Sequence, residues 1–393
     1  MRIQFDGVPI CNEKLTGIGT YEKELCTRIV ERHPNDEFEY TFFSLNGRKA
    51  KKKIMKQYES KNAKITGFPL LSAGLYKLIQ GVFPLPYSIL FGKKNDVTHF
   101  FNFLIPPGAK GKKVVTVHDF GFIRYPETVT RRTRIMLKSR LKRSIKRSDK
   151  IIVISEFTAK EFTELYGVPK EKMSVIYCGV DTEKFHKIEC EDECAEILKA
   201  KGLKDKGYFL YLGTIEPRKN IYALVGAYAK MVKRLESEGK EAYPLVLAGK
   251  LGWYYDKILE RIKAEGIEDR IILPGYLSEY EKVCLYSRAR AFVFPSLYEG
   301  FGIPILEAMA CGAPVLTANA ASLPEVAGDA ALLCDPKSED DIAECMYALA
   351  TDDSLCEKLE AAGYMRAKLF TWEKEADKLY DIYTSLLSDE KEK

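Results

Sequence analysis

The sequence contains no run of about 20 apolar residues, the length that a membrane-spanning helix needs. Its first residues, "MRIQFDGVPICNEKL", include no long apolar segment of the kind that forms the centre of a secretory signal. No short-period repeat and no low-complexity tract is present. These absences argue against a spanning membrane protein and a repeat array, and we expect a cytoplasmic globular protein.

Three chemical motifs are also missing. The ten cysteines form no paired framework, and Cys190 and Cys194 lack a second Cys/His pair that would complete a zinc site, so reduced thiols are expected. The turn "TGIGTY" falls short of the full dinucleotide fingerprint, which argues against a nicotinamide enzyme. No Asp-x-Asp motif follows a predicted strand, so we expect no metal site.

The composition is that of a globular protein with two domains and an uneven charge. The chain has 393 residues, of which 46% are hydrophobic and 30% charged. Residues 1–190 carry 35 Lys/Arg and 20 Asp/Glu, a net charge of +15, whereas residues 191–393 carry 26 and 36, a net charge of −10. The basic half is therefore expected to meet an anionic partner or surface.

Strand-like and helix-like runs alternate twice along the chain. Such alternation predicts parallel strands with crossover helices, an α/β fold built from two doubly wound sheets. The polar stretch "YCGVDTEKFHKIECEDE" separates the two series and serves as a linker. We predict an N-terminal Rossmann-like domain over 1–185, a C-terminal one over 186–370, and a last helical segment over 371–393 that could return to the N-terminal domain.

The segment "PSLYEGFGIPILEAMACGAPVL" places one glutamate on a glycine-rich turn and another in the helix that follows. The turn comes after the apolar strand "ARAFVF", where ligands bind in parallel sheets. Free amides at a helix N-terminus attract an anion, so we expect a phosphate site there. A carboxylate in the helix suits a pair of sugar hydroxyls. The candidate residues are Glu299, Gly300, Phe301, Gly302, Ile303 and Glu307.

An isolated pair of glutamates at this spacing would more often be a turn residue and an exposed helix residue. The preceding strand, the double glycine and Pro304 together favour the functional interpretation. A second loop, "LGTIEPRKN", puts Arg218 and Lys219 just beyond another strand. Fixed cations there would stabilise the charge that develops on a departing diphosphate, although two solvated loop cations are the simpler alternative.

The N-terminal half offers fewer candidates. "VTVHDF" places His118 and Asp119 at the end of a strand, while His99 is better explained as a buried structural residue. Gly17 and Gly19 precede a helix, and as a simple turn they would need no ligand.

Taken together, "TGIGTYEKEL", "YLGTIEPRKN", the glutamate segment and "SLPEVAGDAALLCDP" resemble retaining glycosyltransferases of family 4, over nearly the whole chain. This family has the GT-B fold, in which two facing Rossmann-like doubly wound domains enclose a cleft. The loop "GTIEPRKN" is similar to that of bacterial mannosyltransferases of surface-polysaccharide assembly.

The resemblance implies a role for each candidate. Glu307 would bind the nucleotide ribose, and Glu299 with the backbone of 301–303 would hold the donor sugar. Arg218 and Lys219 would face the leaving diphosphate. His118 would contact the donor sugar, with Asp119 orienting it or contacting the acceptor, and the turn at Gly17 and Gly19 would face the diphosphate and the acceptor.

The implied activity is transfer of a hexose, with retention, from a nucleotide diphosphate sugar to a glycan or lipid-linked acceptor. GDP-mannose is favoured as donor over UDP-glucose and UDP-N-acetylglucosamine, and no metal cofactor is expected. Two alternatives stay open: a GT-B nucleotide-sugar 2-epimerase, which needs no acceptor, and a non-catalytic nucleotide-sugar sensor, which would bind donor without turnover.

Residues 131–150 carry ten Lys/Arg against a single acid, Asp149, with a narrow apolar stripe of Ile135, Leu137, Leu141 and Ile145. Either the cationic face of this helix is exposed to solvent, or it contacts the anionic inner face of the membrane, where lipid-linked acceptors lie. A nucleic-acid partner is not expected, because no aromatics are interleaved with the cations.

Overall fold

The computed structural model describes residues 1–45, 47–80, 83–92, 95–189, 192–252 and 255–388. It divides into two compact units. We call Met1–Cys178 with Trp372–Lys393 the N-terminal unit, and Gly179–Thr371 the C-terminal unit.

The N-terminal unit is built on seven parallel strands in the order β3-β2-β1-β4-β5-β6-β7. Its strands are β1 (Arg2–Asp6), β2 (Glu37–Phe43), β3 (Ala63–Phe68), β4 (Val97–Phe100), β5 (Lys112–Val117), β6 (Lys150–Val153) and β7 (Met173–Val175). Most of these strands are buried along their length, as parallel strands covered on both faces should be.

In the described part of the chain, helices connect these strands. They are α1 (Gly17–Arg32), α2 (Arg48–Met55), α3 (Ala73–Ile79), α4 (Tyr87–Phe91), α5 (Gly121–Arg124), α6 (Arg131–Arg147) and α7 (Glu156–Tyr166). Helix α1 begins at Gly17, so Gly17 and Gly19 lie in its first turn and not, as predicted, in a turn before it. The Thr16 hydroxyl accepts a hydrogen bond from the Gly19 amide and so caps the helix.

The C-terminal unit has a second parallel sheet, in the order β10-β9-β8-β11-β12-β13. Its strands are β8 (Phe209–Leu212), β9 (Leu245–Ala248), β10 (Ile271–Gly275), β11 (Ala291–Phe294), β12 (Val315–Ala318) and β13 (Leu332–Cys334). The helices are α8 (Asp192–Ala200), α9 (Ile221–Ser237), α10 (Tyr255–Glu265), α11 (Glu279–Arg288), α12 (Ile303–Ala310), α13 (Leu323–Ala327), α14 (Glu339–Thr351) and α15 (Asp353–Ala367).

The chain leaves the N-terminal unit at Cys178 rather than after residue 185. The residues from Gly179 onward pack within the C-terminal unit: the Val180 amide donates to the Phe370 carbonyl at 2.9 Å, and the Phe185 ring meets the Tyr286 ring edge-on. The last helix, α16 (Trp372–Ser388), belongs to the N-terminal unit, where it packs along α1.

A buried histidine anchors α16. His99 is fully buried, with Nδ1 2.5 Å from the Tyr383 hydroxyl and Nε2 2.8 Å from the Thr116 hydroxyl. Burial lowers the pKa of His99, so the ring is neutral and structural, as expected. The nine cysteines among the described residues are all free, while Cys190 lies outside the described residues.

Helix α6 departs from its predicted apolar stripe. Leu137, Leu141 and Ser144 are buried, but Ile135 is 55% exposed, so the stripe is displaced from the predicted one toward Ser144. The Ser144 hydroxyl accepts a hydrogen bond from the Ile105 amide, which lets a polar residue take the buried position.

Both sheets reverse their strand order once. In the N-terminal unit the reversal lies between β1 and β4, and in the C-terminal unit between β8 and β11. A crevice opens at the carboxyl ends of the strands at such a reversal, and ligands of doubly wound sheets bind there.

Candidate functional site

Two loops meet at the reversal of the C-terminal sheet. The first follows β8 and ends in a short 3₁₀ turn, Pro217–Lys219, while the second follows β11 and leads to α12. They are joined by two hydrogen bonds: the Leu297 amide donates to the Arg218 carbonyl at 2.9 Å, and Arg218 Nη1 donates to the Tyr298 carbonyl at 2.9 Å. The predicted cations and the first predicted glutamate are thereby brought together.

Glu299 lies between the two cations. One carboxylate oxygen accepts a hydrogen bond from Arg218 Nη1 at 3.0 Å, and the other lies 2.5 Å from Lys219 Nζ. Arg218 Nη2 also reaches Glu216 at 3.2 Å. The side chains of Arg218, Lys219 and Glu299 are 20%, 13% and 9% exposed, so this charged cluster is largely shielded from solvent.

Burial and charge act differently on the members of the cluster. Burial alone would raise the pKa of Glu299, but the charges of Arg218 and Lys219 outweigh it, and the pKa is lowered. Burial, together with repulsion from Arg218, lowers the pKa of Lys219 despite the attraction of Glu299. The carboxylate is therefore firmly ionised, and the Lys219 ammonium is held in a site where a further negative charge would stabilise it.

Two polar residues that the sequence analysis did not single out hold the loops. Asn220 adopts a left-handed conformation with φ of 62°, and its Nδ2 donates to the carbonyls of Pro295 and Pro336, at 3.1 and 2.6 Å. The buried Ser322 hydroxyl lies 3.0 Å from the Glu299 carbonyl and 2.9 Å from the Phe301 carbonyl. Their partners are distant in sequence, so only the polar side chains next to the motifs could have drawn attention to them.

The helix after Glu299 begins as predicted. Gly302 precedes α12 with φ of 117°, and a Cβ there would lie 2.9 Å from the Leu323 side chain, so the position requires glycine. Pro304 lies in the first turn, and Gly312 follows the helix with φ of 73°. Within the described residues, the amides of Gly302 and Ile303 donate to no protein acceptor, which suits an anion site.

Gly300 and Phe301 complete this turn. Both are buried, and the Phe301 ring packs edge-on against Phe370, with 5.7 Å between the ring centroids. The Phe301 side chain is thus committed to the core of the unit, and only its backbone could serve a ligand.

Glu307 has a different environment from Glu299. Its carboxylate accepts a hydrogen bond from the Tyr286 hydroxyl at 3.2 Å. Burial raises the pKa of Glu307, and the nearby Lys282 only partly counteracts this. A half-buried carboxylate with one protein hydrogen bond among the described residues retains lone pairs for further donors such as a pair of hydroxyls.

In the N-terminal unit, His118 directly follows β5 and is 5% exposed. Its Nε2 donates to the Phe101 carbonyl at 2.7 Å, and its ring lies edge-on to Tyr21, with 5.4 Å between centroids. Burial lowers the pKa of His118 more than the Phe101 carbonyl and Asp119 raise it. A neutral imidazole with its proton fixed on Nε2 leaves Nδ1 as an acceptor.

Asp119 and Gly19 have local structural roles, whereas Gly17 has none in the packing. The Asp119 carboxylate accepts a hydrogen bond from the Gly121 amide at 2.8 Å, which fixes the turn after β5. A Cβ at Gly19 would lie 2.8 Å from the Pro9 carbonyl oxygen, so packing alone explains this glycine. Gly17 has open space around it, and nothing in its packing requires glycine.

Neither a metal-binding cluster nor a membrane-spanning helix is found among the described residues. Within the described residues, no group of three or more His, Cys, Asp or Glu side chains could hold a metal ion. Over the same residues, none of the helices is both long enough and apolar enough to cross a bilayer.

A doubly wound sheet in each half, with a cation cluster and a helix N-terminus at the second reversal, suits an enzyme that acts on a phosphate-bearing substrate. Two family models match the chain: "Glycosyltransferase Family 4" over residues 16–184 and "Glycosyl transferases group 1" over residues 195–366. The chain is 33% identical over 383 residues to O-antigen chain mannosyltransferase B of Escherichia coli, covering 95% of this chain and 97% of that protein. The chain belongs to glycosyltransferase family 4 and is a glycosyltransferase.

Another relative matches over a shorter stretch. The serotype-specific mannosyltransferase WbdA of E. coli is 36% identical over 248 residues, which are 63% of this chain and 30% of WbdA.

Solved structures confirm the GT-B fold. Anabaena HepE, solved in complex with UDP and glucose, superposes with a TM-score of 0.74 at 17% identity, covering 98% of this chain and 100% of HepE. WaaG, a glycosyltransferase involved in lipopolysaccharide biosynthesis, gives a TM-score of 0.72 at 16% identity, covering 98% of this chain and 100% of WaaG.

Proposed function

We propose that the protein transfers mannose, with retention at the anomeric carbon, from GDP-mannose to a glycan or lipid-linked acceptor in cell-surface polysaccharide assembly. The observation that carries the proposal is the cluster of Arg218, Lys219 and Glu299 at the reversal of the C-terminal sheet. Mannose is favoured by the relationship to a mannosyltransferase along nearly the whole chain. UDP-glucose and UDP-N-acetylglucosamine are the alternative donors.

The cluster suits a diphosphate leaving group. When the bond from the anomeric carbon to the phosphate oxygen breaks, negative charge grows on that oxygen, and the half-buried ammonium and guanidinium stabilise this charge more in the transition state than in the ground state. The acceptor hydroxyl forms the new bond on the same face of the sugar, and its proton passes to the departing phosphate. In this scheme the protein cations take the part that a divalent ion plays elsewhere, and no metal cofactor is required.

The remaining residues would position the donor. Glu307 would accept hydrogen bonds from the two ribose hydroxyls, and the backbone of 301–303 at the start of α12 would face the diphosphate. His118, neutral and with Nδ1 as an acceptor, would bind a hydroxyl of the donor sugar.

Features of the surface of the N-terminal unit support the proposal that the protein associates with a membrane. Five large apolar side chains between β3 and β4 are exposed: Leu70, Leu75, Leu78, Phe83 and Ile89. Helix α6 adds a row of exposed cations, and the two features together suit the cytoplasmic face of an anionic bilayer, where a lipid-linked acceptor would be presented.

A donor panel with product analysis tests the proposal. The protein is incubated with GDP-mannose, UDP-glucose or UDP-N-acetylglucosamine, with and without acceptor extracts, and both sugar and nucleotide products are followed. We expect sugar transfer from GDP-mannose only when acceptor is present. Conversion of the donor sugar without acceptor would instead indicate the 2-epimerase, and binding without any turnover would indicate the non-catalytic sensor.

A further inference from the structure

Tyr21 is a buried tyrosine of the N-terminal unit to which the proposed mechanism assigns no role. It lies on α1, two residues after Gly19, and is 1% exposed. Its hydroxyl donates a hydrogen bond to the Ile176 carbonyl at 3.0 Å. Its ring meets the rings of His118 and Trp372 edge-on, with 5.4 and 6.0 Å between centroids. One side chain thus contacts the residue after β5, the segment after β7 and the start of α16.

The His118 imidazole depends on neighbouring rings for its orientation. Among the described residues, its ring makes one hydrogen bond, from Nε2 to the Phe101 carbonyl. One such bond fixes a nitrogen atom but not the plane of the ring. Two rings bound that plane: Tyr21 is nearly perpendicular to it, at 86°, and Phe103 is tilted by 58°, with 5.9 Å between centroids. Groups that bind a substrate must be held to within about 0.5 Å, so this packing matters for any ligand of Nδ1.

Tyr21 also contacts both segments that connect the two units. The chain leaves the N-terminal unit at Cys178 and returns to it at Trp372. The Tyr21 hydroxyl holds the segment just before the first of these points, and the Tyr21 ring packs against Trp372. The Glu375 carboxylate, which is 1% exposed, accepts a hydrogen bond from the Tyr177 amide at 3.0 Å and joins the two segments. The ring that packs against the imidazole is therefore itself firmly anchored.

We propose that Tyr21 is a positioning residue for the transfer reaction: its ring sets the plane of the His118 imidazole and so presents Nδ1 to a hydroxyl of the donor sugar. The hydrogen bond to Ile176 and the contact with Trp372 keep the Tyr21 ring in place. This inference rests on the proposed role of His118 at the donor sugar and adds a residue that acts through it. A tyrosine that only filled the core would support stability, but its replacement would not act through His118.

Two substitutions at Tyr21 separate the ring from the hydroxyl. Tyr21→Phe keeps the ring and removes the hydrogen bond to Ile176, whereas Tyr21→Leu removes the ring that meets His118. The matched control is Tyr228, a fully buried tyrosine on α9 whose hydroxyl donates to the Tyr243 carbonyl at 2.8 Å. Tyr228→Leu removes a buried ring and a buried hydrogen bond from the C-terminal unit. Thermal unfolding verifies that each variant is folded.

The state of His118 is measured first, in the protein without ligands, by nitrogen NMR of histidine-labelled samples. The chain has four histidines, and His118→Gln identifies the His118 signals. We expect one neutral tautomer, with the proton on Nε2, in wild type, Tyr21→Phe and Tyr228→Leu, and exchange between tautomers in Tyr21→Leu. A wild-type His118 spectrum in folded Tyr21→Leu would overturn the proposal.

Transfer from GDP-mannose is then compared in a double-mutant cycle with His118→Ala. When His118 is present, Tyr21→Leu should lower kcat/KM at least about tenfold, and Tyr21→Phe about threefold because the ring is less firmly held. In His118→Ala, both changes should have less than about a twofold effect. GDP affinity should stay unchanged, since His118 is assigned to the sugar. Tyr21→Phe carries the test if Tyr21→Leu does not fold.

The outcomes separate this inference from the proposed function. Equal losses from the Tyr21 changes with and without His118, or a dependence on His118 that Tyr228→Leu shares, would overturn the inference while the proposed transfer stands. An unchanged kcat/KM in His118→Ala would overturn it together with the role of His118. Absence of transfer by wild type would overturn the proposed function, and the NMR comparison would still decide whether Tyr21 orients the imidazole.

Discussion

At the scale of single residues, Glu299 forms ion pairs with the two cations that we assign to the leaving diphosphate. A diphosphate that enters the site competes with this carboxylate for the Arg218 guanidinium and the Lys219 ammonium. Because Glu299 keeps both cations oriented and charged before the donor binds, less reorganisation is needed at the moment of reaction.

Changing the two glutamates should separate binding from turnover. Glu307→Ala should weaken the binding of donor and of free nucleoside diphosphate alike, by about 1–3 kcal/mol, because a charged hydrogen-bond partner of the ribose is lost. Glu299→Gln should not weaken the binding of nucleoside diphosphate, because it removes the carboxylate that competes for the two cations. The same change should reduce turnover. Calorimetric titration with nucleoside diphosphate and steady-state kinetics measure the two effects. Equal affinities for wild type and Glu307→Ala would rule out the ribose assignment.

A buried acid in α1 should give the stability a distinctive pH dependence. Both carboxyl oxygens of Glu22 are buried without a partner among the described residues, and burial raises its pKa well above the usual value. The folded protein therefore holds this proton after the unfolded chain has released it, so stability is lost as pH rises from about 4.5 toward the folded pKa. Glu22→Gln should remove this loss, of at most about 1.4 kcal/mol per pH unit.

Urea unfolding at several pH values between 5 and 8 checks this expectation. The stability of Glu22→Gln relative to wild type should increase with pH, whereas Glu31→Gln, an exposed change on the same helix, should show no such trend. Parallel pH profiles for wild type and Glu22→Gln would show that Glu22 is ionised in the folded protein.

At the scale of helices and strands, the local signals were the reliable ones. Pro304 in the first turn of α12 and Gly312 at its end act on neighbouring residues, so the sequence predicts these boundaries. The Thr16 cap of α1 is an equally local signal, which the prediction of a glycine turn overlooked. Strand β2 is difficult to recognise from the sequence, because a buried glutamate, Glu39, interrupts its apolar pattern. The Gln4 amide and the Thr66 hydroxyl that compensate this charge come from neighbouring strands and are recognisable only in the fold.

The site follows the same rule. The sequence predicts the types of residue at the reversal of the C-terminal sheet, because the glycine turn and the cation loop are contiguous motifs. It does not predict that Asn220 joins the loop to carbonyls 75 and 116 residues away, since those contacts depend on strand order. For the same reason, the sequence alone does not distinguish Arg140 and Arg147, which line a cavity together with Ile105, from the other cations of α6.

The start of α12 should be sensitive to a single methyl group. Gly302→Ala should lower stability by about 1–3 kcal/mol, because φ of 117° is strained for alanine and the new Cβ meets Leu323. It should also weaken nucleoside diphosphate binding, since the amides of this turn would shift. Thermal unfolding and calorimetry measure both effects, with Gly74→Ala, in open space on α3, as the control. A Gly302→Ala protein with wild-type stability and affinity would contradict the assigned backbone geometry.

At the scale of the whole molecule, the uneven charge is the feature that remains to be explained. The cations are concentrated in the first 190 residues, and the exposed apolar side chains between β3 and β4 belong to the same unit. Cations next to exposed apolar groups favour an anionic bilayer more than a purely polar partner.

Removing the exposed cations of α6 should weaken membrane binding without affecting the soluble reaction. K138Q/K142Q/K146Q should lose about 1 kcal/mol of anionic-vesicle affinity for each cation near the surface, and binding of wild type should fall steeply with salt. Sedimentation with anionic and neutral vesicles measures this, with K204Q/K233Q/K263Q on the C-terminal unit as the control. If wild type shows no preference for anionic over neutral vesicles at low salt, the cations of α6 are simply exposed to solvent.

We infer that the cation cluster of the C-terminal unit drives departure of the diphosphate, and the turnover of Lys219→Ala at saturating donor measures this role. The control is Lys230→Ala, an exposed change on α9, the helix that follows the same loop. Because the Lys219 charge matters most as the bond breaks, the account predicts a loss of kcat of more than tenfold, at least about 1.4 kcal/mol, with unchanged affinity for the nucleoside alone. A kcat for Lys219→Ala within about twofold of wild type would contradict the account.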